Sequence, residues 1–290
     1  MLFRSKKIHD DRVDILFELS GHTAYNRMGV LALMPAPIQA SYLGYPGTTG
    51  LPTIDFRIVD ECVDPVGMTE KYHTERLIRL PRCAWCYEPD ADTPDVAPLP
   101  FERNGYITFG CFNNMAKLNP ALFDMWDEIL LGVPNSHLRL KARTLTDERV
   151  KTELKEYFAA KGIAAERLDF FGHTRKIHEH LNHYHEVDIA LDSFPYHGTT
   201  TTCEAMWMGC PVVTRAGATH VSRVGVSLLI AVGLEEFICE NREDYISKAV
   251  SLAGETERLV ALRAGMRERL KNSPLMDAPD FASGFAKALL

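Results

Sequence analysis

Short apolar runs alternate with longer amphipathic stretches along this sequence, and that alternation restricts the chain to few folds. Runs such as residues 106–112 and 187–191 are nearly continuous in apolar character, as in strands buried on both faces of a parallel sheet. The stretches at 120–131 and 147–161 have the length and one-sided polarity of helices. Strands joined by helices cross over right-handedly into a parallel sheet, which binds ligands at the carboxyl ends of its strands. The sequence therefore predicts an α/β protein.

The predicted elements fall into two groups separated by a proline-rich segment. The first group has strands at 13–19, 38–43, 54–59 and 76–80, with a short helix at 26–33. The second group has strands at 106–112, 137–141, 167–171, 187–191 and 211–214, helices at 120–131, 147–161, 176–184 and 202–208, and helices in the remainder. Prolines between 87 and 103 disfavour regular structure there. We therefore expect an interdomain linker and two lobes, 1–104 and 105–290.

Composition excludes several classes of protein. With 290 residues, 46% hydrophobic and 24% charged, the chain is long and apolar enough to fold as a globular protein. Its net charge of -7 argues against nucleic-acid binding. The longest apolar stretch, 224–234, is too short to span a membrane, and the first residues do not resemble a secretory signal. We expect a cytoplasmic protein with no membrane partner.

Neither cysteine nor histidine spacing predicts a metal or redox site. The seven cysteines are scattered, and the pair Cys83 and Cys86 has no second pair to complete a zinc motif. Five histidines crowd a strand end and the next helix, but their spacing matches no zinc pattern; they are His173, His178, His180, His183 and His185. We expect no metal and no cofactor.

Two loops after predicted strands carry the residues with the clearest chemistry. In residues 192–204, a glycine is followed by four threonines, 199–202, at a helix N-terminus, where free N–H groups and the helix dipole favour an anion. A threonine that only caps the helix is the alternative. Glu204 falls in the predicted first turn, either as a capping residue or as an acceptor for ribose hydroxyls. In the other loop, 110–120, Lys117 would neutralise a diphosphate, or it is an ordinary surface lysine.

The blocks PAPIQASYLGYPGTTGLPTIDFRIVD, ITFGCFNNMAKLNP and LDSFPYHGTTTTCEAMWMGCPVVT together resemble the catalytic region of the O-GlcNAc transferase and SPINDLY family. The similarity runs nearly end to end, and the segment FPYxGTTTTCE is closer to the SPINDLY branch. It implies a GT-B architecture of two Rossmann-like domains, with the donor held mainly by the second. The family segment resembling DFGNHPTSH, which supplies proposed catalytic groups, is not in this chain. We therefore expect an incomplete first lobe, and tetratricopeptide repeats upstream in the full-length protein.

The resemblance also implies roles for individual residues. By position in the motifs, Lys117 is similar to the catalytic lysine on the diphosphate, and Asn114 to the amide beside it. Further donor-binding positions implied in the same way are Thr199, Thr200, Thr201, Glu204, His180, Leu43 and Gly44. Glu204 stands where animal enzymes have the aspartate on the ribose, and His180 where a histidine lies near the base. Leu43 and Gly44 fall where the first lobe touches the sugar.

The implied activity is inverting, metal-independent transfer of a sugar from a nucleoside diphosphate to a serine or threonine of a protein. UDP-GlcNAc is the expected donor, and GDP-fucose is the alternative because of the SPINDLY-like motifs. A nucleotide-binding module without turnover is a further alternative, given the missing upstream segment. The expected partners are therefore a nucleotide-sugar donor and a protein or peptide acceptor.

Overall fold

The first lobe is built on a four-stranded sheet. A computed structural model describes residues 2–289 of the chain. The strands are β1 (Ile15–Glu18), β2 (Ile38–Ser41), β3 (Phe56–Asp60) and β4 (Arg76–Leu80), and the helices are α1 (Leu2–Asp10) and α2 (Met28–Leu31). The strands are adjacent in chain order, and every neighbouring pair is parallel.

The second lobe is built on a six-stranded parallel sheet in the order β10-β9-β8-β5-β6-β7. Its strands are β5 (Thr108–Cys111), β6 (His137–Lys141), β7 (Leu168–Phe171), β8 (Ile189–Leu191), β9 (Val212–Arg215) and β10 (Ile238–Cys239). Its helices are α3 (Pro100–Asn104), α4 (Pro120–Gly132), α5 (Glu148–Ala159), α6 (Ile177–Asn182), α7 (Thr200–Trp207), α8 (Val224–Ala231), α9 (Arg242–Ala253), α10 (Thr256–Lys271) and α11 (Ala278–Ala288). The predicted α/β class and the paired Rossmann-like sheets are thus confirmed.

Short 3₁₀ helices complete the regular structure. They are Glu70–Tyr72, Met115–Lys117, Arg143–Thr146, Ala165–Arg167, His183–Glu186, His220–Ser222 and Glu235–Phe237. No helix within residues 2–289 is long and apolar enough to cross a bilayer.

Two sequence predictions about regular elements are wrong. Helices do not fill the whole remainder after residue 214, because β10 adds a two-residue strand beside β9. So short a strand has too few residues to show an alternation. Regular structure is also present near the end of the linker, where α3 begins at Pro100. Proline is tolerated at the first helical position, since its missing N–H has no intrahelical acceptor there.

The buried core is concentrated in the second lobe. Phe109 on β5 and Trp126 on α4 are fully buried, and the Trp126 indole N–H donates to the Tyr245 hydroxyl at 3.3 Å. Tyr245 in turn donates to the backbone carbonyl of Asp192 at 3.0 Å. The core therefore extends by hydrogen bonds to the loop that follows β8.

Buried polar contacts join the two lobes. The Ser227 hydroxyl on α8 donates to Asp60 at the end of β3 at 2.6 Å. Asp64 lies 2.6 Å from His220 Nδ1, and both side chains are buried. The C-terminal helix α11 also returns to the first lobe, where the Phe285 ring packs on Tyr42. The chain division at residue 104 remains a prediction.

Asp127 on α4 provides a prediction for stability. Its side chain is buried, and neither carboxylate oxygen finds a hydrogen-bond partner among residues 2–289. Burial raises the pKa of the Asp127 carboxyl to about 6, from an ordinary value of 3.8. The folded state thus holds this proton more tightly than the unfolded state, so stability falls as the pH rises from about 4 to about 6.

We therefore expect Asp127→Asn to be more stable than wild type at pH 7.5, by about 1–3 kcal/mol, and the gain to shrink at pH 4.5. Urea unfolding at both pH values measures this difference. The matched control is Asp124→Asn on the same helix, because Asp124 is partly exposed and its carboxylate accepts from Lys161 and Tyr157. A gain that is the same at both pH values would contradict the assignment.

Candidate nucleotide-sugar site

The order of strands in the second sheet creates a crevice at one edge. The chain runs outward from β5 through β6 to β7, and then returns to place β8 on the other side of β5. Connections that leave β5 and β8 therefore depart in opposite directions, which opens a gap at the carboxyl ends of these two strands. The loops that carry Lys117 and the four threonines, 199–202, follow these two strands.

A cavity of about 550 Å³, which we call the interlobe cleft, lies at this position. The second lobe lines it with Asn113, Asn114, Lys117, Thr199, Thr200, Thr201 and Cys203, the first lobe with Leu43 and Gly44, and the chain between the lobes with Trp85, Cys86 and Tyr87. The structure thus brings together seven of the nine residues singled out from the sequence.

Lys117 lies in the cleft wall at the end of a 3₁₀ helix capped by Asn114. Its ammonium donates to the His197 backbone carbonyl at 2.7 Å and to Asn113 Oδ1 at 3.4 Å, and it lies 4.3 Å from the centre of the Tyr196 ring. An ammonium has three N–H groups, so one is left for a ligand. Burial lowers the pKa of Lys117, while the carboxylate of Asp192 opposes that shift. An anionic ligand would also favour the charged form.

Three of the four consecutive threonines are the first residues of α7 rather than part of the loop before it. The helix begins at Thr200, two residues before the predicted start, and its side chains from Thr202 onward are buried. Tertiary packing therefore outweighs the modest helix propensity of threonine. The N-cap residue Thr199 makes no side-chain capping bond, and the Thr201 hydroxyl donates to Asn113 Oδ1 at 2.9 Å. The first N–H groups of an eight-residue helix are thus presented at the cleft.

The capping interpretation of Glu204 is wrong for the same reason. Because α7 starts at Thr200, Glu204 is its fifth residue, and the first turn contains no acidic side chain. Glu204 is buried and lies against His180 instead, with 3.0 Å between Oε2 and the imidazole Nε2. A contact between Glu204 and the ribose of a donor remains a prediction.

The first lobe reaches the cleft through a sharp turn after β2. Leu43 has a backbone φ of 68°, in the left-handed region that non-glycine residues seldom adopt. A Cβ on Gly44 would lie 1.9 Å from the Leu19 backbone carbonyl oxygen, so no other residue fits there without moving the backbone. This close packing holds Leu43 and Gly44 against the cleft.

A second cavity of about 420 Å³, the side cleft, continues from the interlobe cleft past Asn114. Its walls include Phe112, Lys141, Arg143, His173, Arg175, Lys176 and His180. The His180 ring lies between Lys141 and Glu204, with Lys141 Nζ 2.9 Å from Nδ1. The side cleft is thus flanked by aromatic and basic groups, with one carboxylate behind His180.

Two organising residues were not singled out by the sequence. The buried carboxylate of Asp192 accepts from the N–H of Gly198 at 2.8 Å and of Ser193 at 2.9 Å, and from the Thr214 hydroxyl at 2.8 Å. Lys141 is the other, at the carboxyl end of β6. Each polar residue lies at or just after a strand end, which is the signal that would have identified both.

The clustered histidines do not converge on one point. His180 contacts Glu204, whereas His185 Nε2 lies 2.9 Å from the carbonyl of Asp95, and the His183 ring packs on Phe171. Burial, followed by nearby Lys141, lowers the pKa of His183 to about 4. The part of the chain from 2 to 289 contains no group of three or more His, Cys, Asp or Glu side chains arranged to ligate a metal ion. The seven cysteines are free thiols.

A lysine and a helix N-terminus therefore line one cleft, and a histidine in contact with a buried carboxylate lines the adjoining cleft, at the edge of one of two parallel sheets. This combination of fold and cleft defines the GT-B class. A Thermobaculum terrenum O-GlcNAc transferase mutant, K341M, matches with a TM-score of 0.92 and 34% identity, over 99% of this chain and 54% of that chain. Anabaena Alr3699/HepE in complex with UDP shares the fold at 13% identity, with a TM-score of 0.60 over 99% of this chain and 81% of that one.

The chain belongs to glycosyl transferase family 41, whose sequence model matches residues 4–88 and 100–285. The protein called "Probable UDP-N-acetylglucosamine--peptide N-acetylglucosaminyltransferase SPINDLY" from Eustoma exaltatum subsp. russellianum is 46% identical over 94% of this chain and 30% of its own length. Its Arabidopsis thaliana namesake is 42% identical over 97% of this chain and 31% of its own length. The chain thus spans about 30% of the length of these curated relatives, and the predicted family resemblance is confirmed.

Proposed function

We propose that this chain carries the donor-binding part of a protein O-glycosyltransferase that moves a sugar from a nucleoside diphosphate to serine or threonine of a protein. The observation that carries the proposal is the shared cleft wall of Lys117 and the N-terminal threonines of α7. A cation and unpaired helix N–H groups facing one cavity suit a diphosphate. Family membership and the names of the curated relatives support the same activity.

The cleft geometry supports a particular orientation of the donor. The diphosphate would lie between Lys117 and the start of α7, and the sugar would point toward Leu43 and Gly44 of the first lobe. The ribose would lie near Glu204, and the base would enter the side cleft beside His180. The adjoining cavities match the order of chemical groups along a nucleotide sugar.

The proposed reaction is an inverting displacement. The acceptor hydroxyl attacks the anomeric carbon from the side opposite the diphosphate, so the new C–O bond forms as the bond to the diphosphate oxygen breaks. The acceptor oxygen gives up its proton to solvent in the same reaction. Negative charge grows on the leaving diphosphate, and Lys117 with the α7 dipole stabilises it more strongly than in the ground state. We propose that these groups supply the positive charge for this step and that no metal or cofactor is required.

UDP-N-acetylglucosamine is the donor we propose, on the strength of the names of the curated relatives. GDP-fucose is the contrasting donor, because the segment FPYxGTTTTCE is closer to the SPINDLY branch. The acceptor is proposed to be a protein or peptide. Cytoplasmic location, and tetratricopeptide repeats upstream, remain predictions.

Isothermal calorimetry on this chain with UDP, GDP, UDP-GlcNAc and GDP-fucose tests the donor site. We expect UDP and UDP-GlcNAc to bind, and guanosine nucleotides to bind more weakly. Tighter binding of GDP would reverse the donor assignment, and binding of none of the four would refute the donor site. A transfer assay with an acceptor peptide then distinguishes an active glycosyltransferase from a nucleotide-binding module without turnover. Donor binding without any product would favour the module.

A further inference from the structure

Lys141 is a buried lysine to which the proposed reaction assigns no role. It ends strand β6, only 6% of its surface is exposed, and its side chain lines the side cleft. A lysine is seldom buried to this degree unless it is paired. The group next to its ammonium is the imidazole of His180, at 2.9 Å from Nδ1.

The contacts on the two nitrogens of His180 define its protonation. Glu204 Oε2 lies 3.0 Å from Nε2, and a carboxylate can only accept, so Nε2 carries a proton. Lys141 lies against the other nitrogen, and an ammonium can only donate, so Nδ1 presents its lone pair. The three side chains therefore form a hydrogen-bonded series in which the Lys141 ammonium donates to a neutral His180 imidazole, and the imidazole donates to the Glu204 carboxylate.

Charged and titratable groups from other elements also surround the His180 ring. Arg143 follows β6, and His173, Arg175 and Lys176 line the side cleft from the β7–α6 loop. His183 lies near both Lys141 and His180, and the centre of the Tyr184 ring is 5.9 Å from that of His180. These groups are cationic or neutral, and Glu204 is the carboxylate in contact with the ring. Burial lowers the pKa of Lys141, and the Glu204 carboxylate opposes that shift. Lys141 is the cation in direct contact with His180, at Nδ1.

We propose that Lys141 is a positioning residue that holds His180 as the neutral tautomer with its proton on Nε2. This tautomer keeps one oxygen of Glu204 engaged and leaves the other for the ribose of the donor. Without the ammonium, the imidazole can take a second proton beside Glu204 or exchange tautomers, and both changes alter the surface offered to the nucleotide. The proposal rests on the proposed donor site.

Histidine side-chain NMR on the ¹⁵N-labelled full chain tests the proposal, with His180→Gln to assign the signals. We expect wild-type His180 to show one neutral tautomer at neutral pH. Lys141→Met should lose that signature and show imidazolium at pH 6. Lys141→Arg, which keeps a cationic donor, should restore it, and Lys155→Met on the exposed face of α5 should not change it.

Calorimetry with UDP and GDP at pH 6 and pH 8 provides the second measurement. Lys141→Met lacks the hydrogen bond between Lys141 and His180. We expect this variant to bind the nucleotide about two- to tenfold more weakly than wild type at pH 6, and the difference to be smaller at pH 8. A wild-type spectrum with the proton on Nδ1 overturns the proposal without any variant. If neither nucleotide binds wild type, the donor site fails, while the tautomer result still decides the role of Lys141.

Discussion

Replacing Lys117 by alanine is expected to abolish most donor binding while leaving the fold intact. The ammonium is held in the interlobe cleft by the His197 carbonyl and Asn113, so it is positioned before a ligand arrives. Removing it leaves a diphosphate short of its main cationic partner. Truncating one partner of a buried charge pair costs about 2–5 kcal/mol, which corresponds to roughly 30-fold to 4,000-fold weaker binding.

Calorimetry with the nucleotide that wild type binds measures this loss, and urea unfolding checks that stability is retained. Lys155→Ala is the matched control, because Lys155 is an exposed lysine on α5. In a transfer assay, the rate should fall by more than the affinity for the free nucleotide, since the lysine is proposed to act on the leaving group. If Lys117→Ala and Lys155→Ala bind the nucleotide equally well and form equal amounts of product, Lys117 has no role in the mechanism.

Replacing Asp192 by alanine should cause the largest loss of stability of any change at this site. Its carboxylate is buried and accepts from Gly198, Ser193 and Thr214, so it closes the loop that joins β8 to α7. Alanine leaves these donors buried and unpaired. We expect a loss of about 3–5 kcal/mol, which is typical when one partner of a buried charge interaction is removed.

Urea unfolding measures the stability loss, and amide exchange at Gly198 locates it. Exchange at this N–H should become much faster in Asp192→Ala, because its acceptor is gone. Asp192→Asn keeps the shape and one acceptor oxygen, so an intermediate loss is expected. The control is Asp95→Ala, since the Asp95 side chain is fully exposed. Unfolding of Asp192→Ala at the same urea concentration as this control would contradict the proposed role.

Both variants affect one structural unit. The loop after β8 supplies the His197 carbonyl that holds Lys117 and the Gly198 N–H that Asp192 holds. Weaker binding in Asp192→Ala is therefore expected to accompany the loss of stability, whereas Lys117→Ala should lose binding alone. This difference separates a residue that shapes the loop from one that contacts the donor.

Several elements were predictable because their information is local. The strands Arg76–Leu80 and His137–Lys141 have the predicted bounds, since apolar runs between turn-forming residues define a buried strand. The threonine loop and the Lys117 loop were identifiable as strand-end loops for the same reason. The α/β class follows from the alternation of these runs with amphipathic helices, without any knowledge of long-range contacts.

Other features required the three-dimensional arrangement. The order β8-β5-β6 places distant residues on one crevice, as in the 2.9 Å hydrogen bond between Thr201 and Asn113, which are 88 positions apart. Helix α7 begins at Thr200 because its side chains pack in the core, which local propensity does not report. The positions of Lys141 and Asp192 at strand ends could be read from the sequence, but their contacts with His180 and Gly198 could not.

Short-range patterns of apolar and polar residues encode the class of fold, most strand positions and the strand-end loops that carry the predicted site residues, so all three could be read without a structure. The three-dimensional arrangement was needed to show which loops meet, that Glu204 pairs with His180, and that Asp192 and Lys141 contact Gly198 and His180 respectively. Those contacts join residues that are distant in the chain, and their geometry depends on sheet order and packing, which no local pattern specifies.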